Sequence, residues 1–144
     1  LETEHHALLT TPKITRLLDR ARANSQGLED WQLANLREMQ RQRDHAIATP
    51  VSLISRLARA AALAESHWAT ARRENDYSLF GPHLEGLLKL VRDKAALLGQ
   101  ALNLSPYDAL MDEFGPGFHT EDIDGLFKGL ARSLPGMIKS VISR

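Results

Sequence analysis

The groups that could do chemistry in this 144-residue chain are six histidines, eighteen acidic residues and eighteen basic ones; cysteine is absent. The histidines are His5, His6, His45, His67, His83 and His119. None stands three or four residues from another, the spacing that brings two imidazoles to one ion from one helix face. His5 and His6 are adjacent, and on a helix their rings point about 100° apart. They read as surface or capping histidines, and no metal ligand is assigned to this chain. The carboxylates form two groups. Asp108, Asp112 and Glu113 are expected on one short helix that starts at Ser105-Pro106 and ends near Glu113, and Glu121, Asp122 and Asp124 follow a glycine-rich break. The second group sits where a helix starts, and negative charge there favours the helix dipole. Asp122-x-Asp124-Gly125 lacks the further ligands of a calcium loop. The third candidate is an arginine cluster, Arg37, Arg41 and Arg43, joined by Arg56, Arg59, Arg72 and Arg73. Such a fork could hold a phosphate or a peptide carboxylate. The simpler reading is a solvated face paired with Glu38, Asp44, Glu65 and Glu74. No serine-histidine-acid order and no phosphate-binding glycine loop occurs. The residues alone therefore assign no catalytic, cofactor-binding or metal site.

The elements that would carry these groups are helices. Thr49-Pro50 marks a helix start, with a hydroxyl to cap free amides and proline suited to the first turn. From there Ile54, Leu57, Ala61, Ala64, Trp68 and Ala71 recur every three or four residues, which places them on one face of a long helix over 50–75. Leu53, Ala60 and Leu63 add apolar surface on another side. Trp68 is expected to be buried as the large anchor of that face. Asn75-Asp76 ends the helix, because both favour caps and turns.

Thr11-Pro12 and Ser105-Pro106 repeat the hydroxyl-proline start. Residues 1–10 read as the last turns of a helix. Ile14, Leu17, Leu18 and Ala21 stripe the next, which Asn24-Ser25-Gln26-Gly27 terminates. A helix over 29–48 points Trp31, Leu33, Ala34, Leu36 and Met39 inward. A further helix opens near Ser78 and carries Leu84, Leu87, Leu88, Val91, Ala95 and Leu98, with Gly86 as its weak point. After Gly115-Pro116-Gly117, Thr120 is expected to cap a last helix with Ile123, Leu126, Phe127 and Leu130 inward. Pro135 leaves residues 136–144 as a bent continuation or a separate short helix. Met137, Ile138, Val141 and Ile142 need something to pack on, so the chain should expose apolar surface or self-associate. No alternating strand pattern or repeat is visible. The prediction is an all-α array of about six or seven helices with short turns, forming a single helical domain over 1–144.

Composition limits the alternatives. Hydrophobic residues make up 43% and charged residues 25%, ordinary for a folded globular protein. The balanced charge offers no net field to hold nucleic acid or an anionic membrane. No apolar run reaches membrane-spanning length and no signal peptide is visible. Without cysteine there is no disulfide, and a cytoplasmic location is the simplest expectation.

Trp68, Ala71-Arg72, Glu74-Asn75-Asp76-Tyr77, Phe80, Pro82, Leu84 and Leu87 resemble the N-terminal helical region of the thermostable metallocarboxypeptidases of the carboxypeptidase Taq type. Two flanking stretches fit the same family in order. One is Ala34-Asn35-Leu36-Arg37-Glu38. The other is Pro106-Tyr107-Asp108-Ala109-Leu110 with Asp112-Glu113, Gly117, Thr120 and Leu126-Phe127. The family's metal motif, His-Glu-x-x-His, does not occur in this sequence. The resemblance implies a piece of a larger enzyme that removes single residues from peptide C-termini. In that family zinc or cobalt sits on two histidines and a glutamate, expected downstream of Arg144. The resemblance also implies a homodimer and places these helices as a wall over a substrate groove. The chain begins Leu1-Glu2-Thr3 without methionine, as a fragment, a processed product or an incomplete chain would; without the metal motif it is expected to have no activity of its own. The rival reading is a non-enzymatic helical interaction module, complete at 144 residues, holding a partner protein by its arginine-rich face or a groove.

Overall fold

The structure is a computed structural model that describes residues 2–143, apart from the side chain of Glu2. Among the described residues there are seven α-helices and no strand. They are α1 (Glu2–Leu9), α2 (Pro12–Ala23), α3 (Asp30–Ala48), α4 (Val51–Glu74), α5 (Gly81–Leu102), α6 (Pro106–Met111) and α7 (Thr120–Ile142). Single 3-10 turns occupy Ser25–Gly27 and Tyr77–Leu79. The expected long helix over 50–75 is α4, one residue shorter at each end.

Local chemistry sets the helix ends. Ser105 behaves as expected: its hydroxyl accepts from the Asp108 amide at 3.1 Å, and Pro106 follows in the first turn. The other two threonines do not cap. Thr11 Oγ1 donates backwards to Leu8 O at 2.9 Å and Thr49 Oγ1 to His45 O at 3.2 Å. Each closes the helix before it, a bond open to any hydroxyl whose turn lies in reach. Left-handed backbone falls on Asn75 (φ 52°) and Asn103 (φ 56°), which end α4 and α5, and on Gly117 (φ 80°). Asparagine tolerates this region through its short polar side chain. The fifth helix opens later than expected. Asp76 accepts from the Ser78 amide and hydroxyl at 2.9 and 2.6 Å, and this holds the 3-10 turn before Gly81.

α3 and α4 meet at a bend of 87°. No single helix among the described residues is long and apolar enough to cross a membrane. α4 and α5 pack together, and α6 lies on α5. The core between them is thin and made of leucines and alanines. Leu98 and Ala109 are fully buried, with Leu53, Ala64, Ala71, Leu90 and Ala95 around them. Burying one leucine is worth about 1.5–3 kcal/mol, so Leu98 is the largest single apolar contribution here. At Gly99 an added Cβ would lie 2.9 Å from Leu104 O, so glycine is what lets the end of α5 approach the start of α6.

Several expected core residues are outside. Trp68 is 45% exposed, with the Arg72 guanidinium 5.4 Å above its ring. Trp31 and Met39 are 61% and 53% exposed, and Trp31 donates its Nε1–H to Glu29. α7 departs most. Ile123 is half-buried, but Leu126, Phe127 and Leu130 face solvent, as do Met137, Ile138, Val141 and Ile142. The spacing read correctly as an apolar face; beyond Ile123 no described residue covers it. Pro135 neither stops nor separates the helix, which runs continuously to Ile142.

Candidate functional site

α3 carries Glu38, Arg41 and His45 at i, i+3 and i+7, one face of a helix. That face turns toward the end of α6, where Asp112 receives it. Asp112 Oδ2 accepts from His45 Nε2 at 2.7 Å and from Arg41 Nη1 at 3.1 Å. The Asp112 carbonyl also accepts from Arg41 Nη1 at 2.8 Å, and Oδ1 accepts from the Gly117 amide at 3.0 Å. Arg41 presents its other edge to Glu38, with Nη2 and Nε donating at 2.7 and 2.8 Å. One arginine thus bridges two carboxylates, a geometry suited to its planar fork.

The electrostatics follow from the bonds. Arg41, with Gln42 beside it, holds the Glu38 carboxyl down at about 2. Burial pushes Asp112 up, but the Gly117 amide, His45 and Arg41 outweigh it and keep the carboxyl below its ordinary value. The Glu38 carboxylate raises Arg41. His45 is 9% exposed, and its Nδ1 is buried without a hydrogen-bond partner.

Neighbouring elements complete a cleft of about 300 Å³. α1 brings His6, whose Nε2 lies 2.8 Å from Ala46 O and 2.7 Å from Thr49 O. Both neighbours are acceptors, so this nitrogen carries the proton. α5 brings Lys94, which pairs with Glu113 at 2.6 Å. A second cleft, about 400 Å³ and mainly apolar, runs between α4 and α5 past Leu57, Ala61 and Val91, with Phe114 at its edge.

Each expected candidate now has a place. Asp108 accepts from Ser105 and from the hydroxyl and amide of Thr120, and these bonds lower its carboxyl, the Thr120 hydroxyl foremost. Thr120 is therefore not the cap of α7. His119 holds that position, and the Asp122 side chain accepts from its amide at 3.0 Å in a reciprocal box. The arginine cluster divides. Arg41 turns inward; Arg43 reaches Thr15 and lies 3.9 Å from Asp44, with its Nε buried and unpartnered. Arg37, Arg56, Arg59, Arg72 and Arg73 stay on the surface. Sequence reasoning missed the Asp112–His45 pair, whose members lie 67 residues apart, and read Arg41 as solvated.

The chemistry available is limited. A carboxylate–imidazole pair can orient a base, but the Thr49 hydroxyl one turn along α3 donates to the His45 carbonyl and not to the ring. His67 and His83 come together from α4 and α5 with ring centroids 3.6 Å apart and planes tilted by 31°. The two tilted rings meet without a third ligating group beside them among the described residues. His67 Nδ1 is also engaged with Leu63 O at 2.9 Å. Among the described residues no three histidine or carboxylate groups are placed to hold a metal. These residues do not fit a catalytic metal ion, which takes typically three protein ligands and an open position. The Glu38–Arg41–Asp112–His45 cluster is a rivet between α3 and the α6–α7 turn.

Comparison with known proteins places this geometry. The family model for carboxypeptidase Taq (M32) metallopeptidase matches residues 1–144. Thermostable carboxypeptidase 1 of Thermus thermophilus is 31% identical over 148 aligned positions, covering 95% of this chain and 29% of the relative. Thermostable carboxypeptidase 1 of Pyrococcus furiosus is 28% identical, with 95% and 27% covered. Among solved structures, Trypanosoma cruzi metallocarboxypeptidase 1 superposes with a TM-score of 0.85 at 32% identity, covering 96% of this chain and 28% of that one. The chain thus spans less than a third of the length of these relatives.

Proposed function

The chain belongs to the carboxypeptidase Taq (M32) metallopeptidase family, and from that premise we propose that it is the N-terminal helical domain of a metal-dependent carboxypeptidase releasing C-terminal residues from peptides. The observation that carries this reading is the match over the whole chain, in sequence and in fold, to the same share of longer peptidases. The metal, zinc or cobalt, is held by residues of the parent outside this chain, and the 144 residues supply none of its ligands. Their part is to form a wall of the substrate groove. The apolar cleft between α4 and α5 supports that assignment, because a concave apolar surface beside paired charges suits a peptide's side chains. The parent is a cytoplasmic homodimer in this reading.

The wall can be tested in the parent enzyme. Ala61→Trp fills the cleft without touching the metal. KM for peptides longer than a dipeptide should rise several-fold, with kcat for an N-blocked dipeptide unchanged. Unchanged kinetics on every peptide would remove the cleft from the groove.

A further inference from the structure

α7 is the most exposed long element of the structure; beyond Ile123 every described side chain of this helix faces solvent. Yet its N-terminus is fixed. Asp108 holds Thr120 by amide and hydroxyl, Asp112 holds the Gly117 amide, and His119 and Asp122 close the first turn. A helix anchored this firmly and left bare is oriented for a neighbour.

The sequence around its circumference says how much neighbour. At about 100° per residue, Ile123, Phe127, Leu130, Leu134, Met137 and Val141 fall on one broad apolar face. Beside it runs a ridge of Gly125, Gly129, Ser133, Gly136 and Ser140. Beyond the first turn the charges, Asp124, Lys128, Arg132 and Lys139, share the narrow strip that remains. Glycine is the poorest helix former after proline, and three in one helix work against it unless a backbone must come close. Nothing lies within 4 Å of where a Cβ would stand at Gly125, Gly129 or Gly136.

We propose that α7 is an interior helix of the parent enzyme, enclosed on its apolar face and on its glycine ridge by the polypeptide that follows residue 144. This rests on the reading of the chain as the N-terminal part of a longer peptidase. The occupant follows from two observations. The relatives carry more than two thirds of their length outside the matched region. A second copy of this chain, by contrast, would meet α7 through one self-complementary patch and leave the other side open. A membrane surface suits a helix with a wide cationic face, and here the charged strip is narrow and flanked by glycine.

Hydrogen exchange of the α7 amides in the full-length protein and in the 144-residue chain tests this directly. Amides 123–142 should exchange at least a hundred-fold more slowly in the full-length protein, at every protein concentration and without lipid. Equal rates in the two would overturn the proposal. So would protection that appears only at high concentration, indicating a second copy, or only with phosphatidylglycerol vesicles. Gly129→Leu gives a second reading: it should raise the Tm of the 144-residue chain and lower that of the full-length protein, while Lys128→Leu leaves the latter unchanged. A rise in both would count against a close neighbour at the ridge. Peptide turnover by the wild-type full-length protein is scored separately. Turnover with an unprotected α7 defeats this inference alone, and protection without turnover defeats the peptidase reading alone.

Discussion

Asp112 gathers three donors on its carboxylate and a fourth bond on its carbonyl, and those bonds join α3 to the turn that launches α7. Removing the carboxylate leaves His45 and Arg41 short of an acceptor where water has little access. Asp112→Ala should therefore cost about 3 kcal/mol, the scale set by breaking a buried charged pair. The pH dependence has a definite sign. Glu38 and Asp112 both titrate lower in the folded chain than unfolded. Their stabilisation is fully present above the unfolded carboxylate value of about 4 and is lost as pH falls through the folded values. The urea midpoint of the 144-residue chain should hold from about pH 7 to 5 and fall steeply toward about pH 2, where Glu38 protonates. In Asp112→Ala the midpoint should start lower and fall less. A variant with the parent midpoint and the same acid limb would show the cluster to be energetically idle. Little of this was legible in the sequence. The i, i+3, i+7 spacing of Glu38, Arg41 and His45 shows that they share a face, but a carboxylate 67 residues away leaves no local trace.

The helices themselves were legible, because period and punctuation are local. The all-α class, the span of α4 and the Ser105 cap came from spacing and from residues acting within one turn. Side-chain burial was not, since it depends on neighbours. Trp68 sits on the apolar stripe of α4 and still keeps 45% of its surface, with the Arg72 guanidinium over its ring and Tyr77 and Phe80 lining the hollow beside it. Two glycines of α5 separate local from tertiary effects. At Gly86 nothing lies within 4 Å of an added Cβ, so Gly86→Ala should stabilise by about 0.5–1 kcal/mol through helix propensity. At Gly99 the Cβ would press on the backbone of Leu104 and Pro106, and Gly99→Ala should destabilise by about 1–3 kcal/mol despite the same gain in propensity. Denaturant melts of the two variants should move in opposite directions. Two shifts of the same sign would mean that the α5–α6 approach is looser than the structure has it.

At the scale of the whole molecule the chain has a framework and surfaces without occupants. Its core is thin, its long last helix is bare, and the charged groups drawn inward, Arg41 with Asp112 and Lys94 with Glu113, are paired with one another. Family membership was legible in the ordered matches around Trp68, Asn75 and Asp108; of these, Asn75 ends α4 and Asp108 holds the turn before α7. Catalytic roles were not: among the described residues no three histidine or carboxylate groups converge on one point. The most direct test is turnover of an N-blocked dipeptide by the full-length protein and the 144-residue chain, side by side with zinc or cobalt. The full-length protein should release the C-terminal amino acid, lose that activity to a chelator and regain it with metal, while the 144-residue chain releases none. Chelator-sensitive turnover by the 144 residues alone, or a full-length protein inert with every divalent metal, would contradict the account.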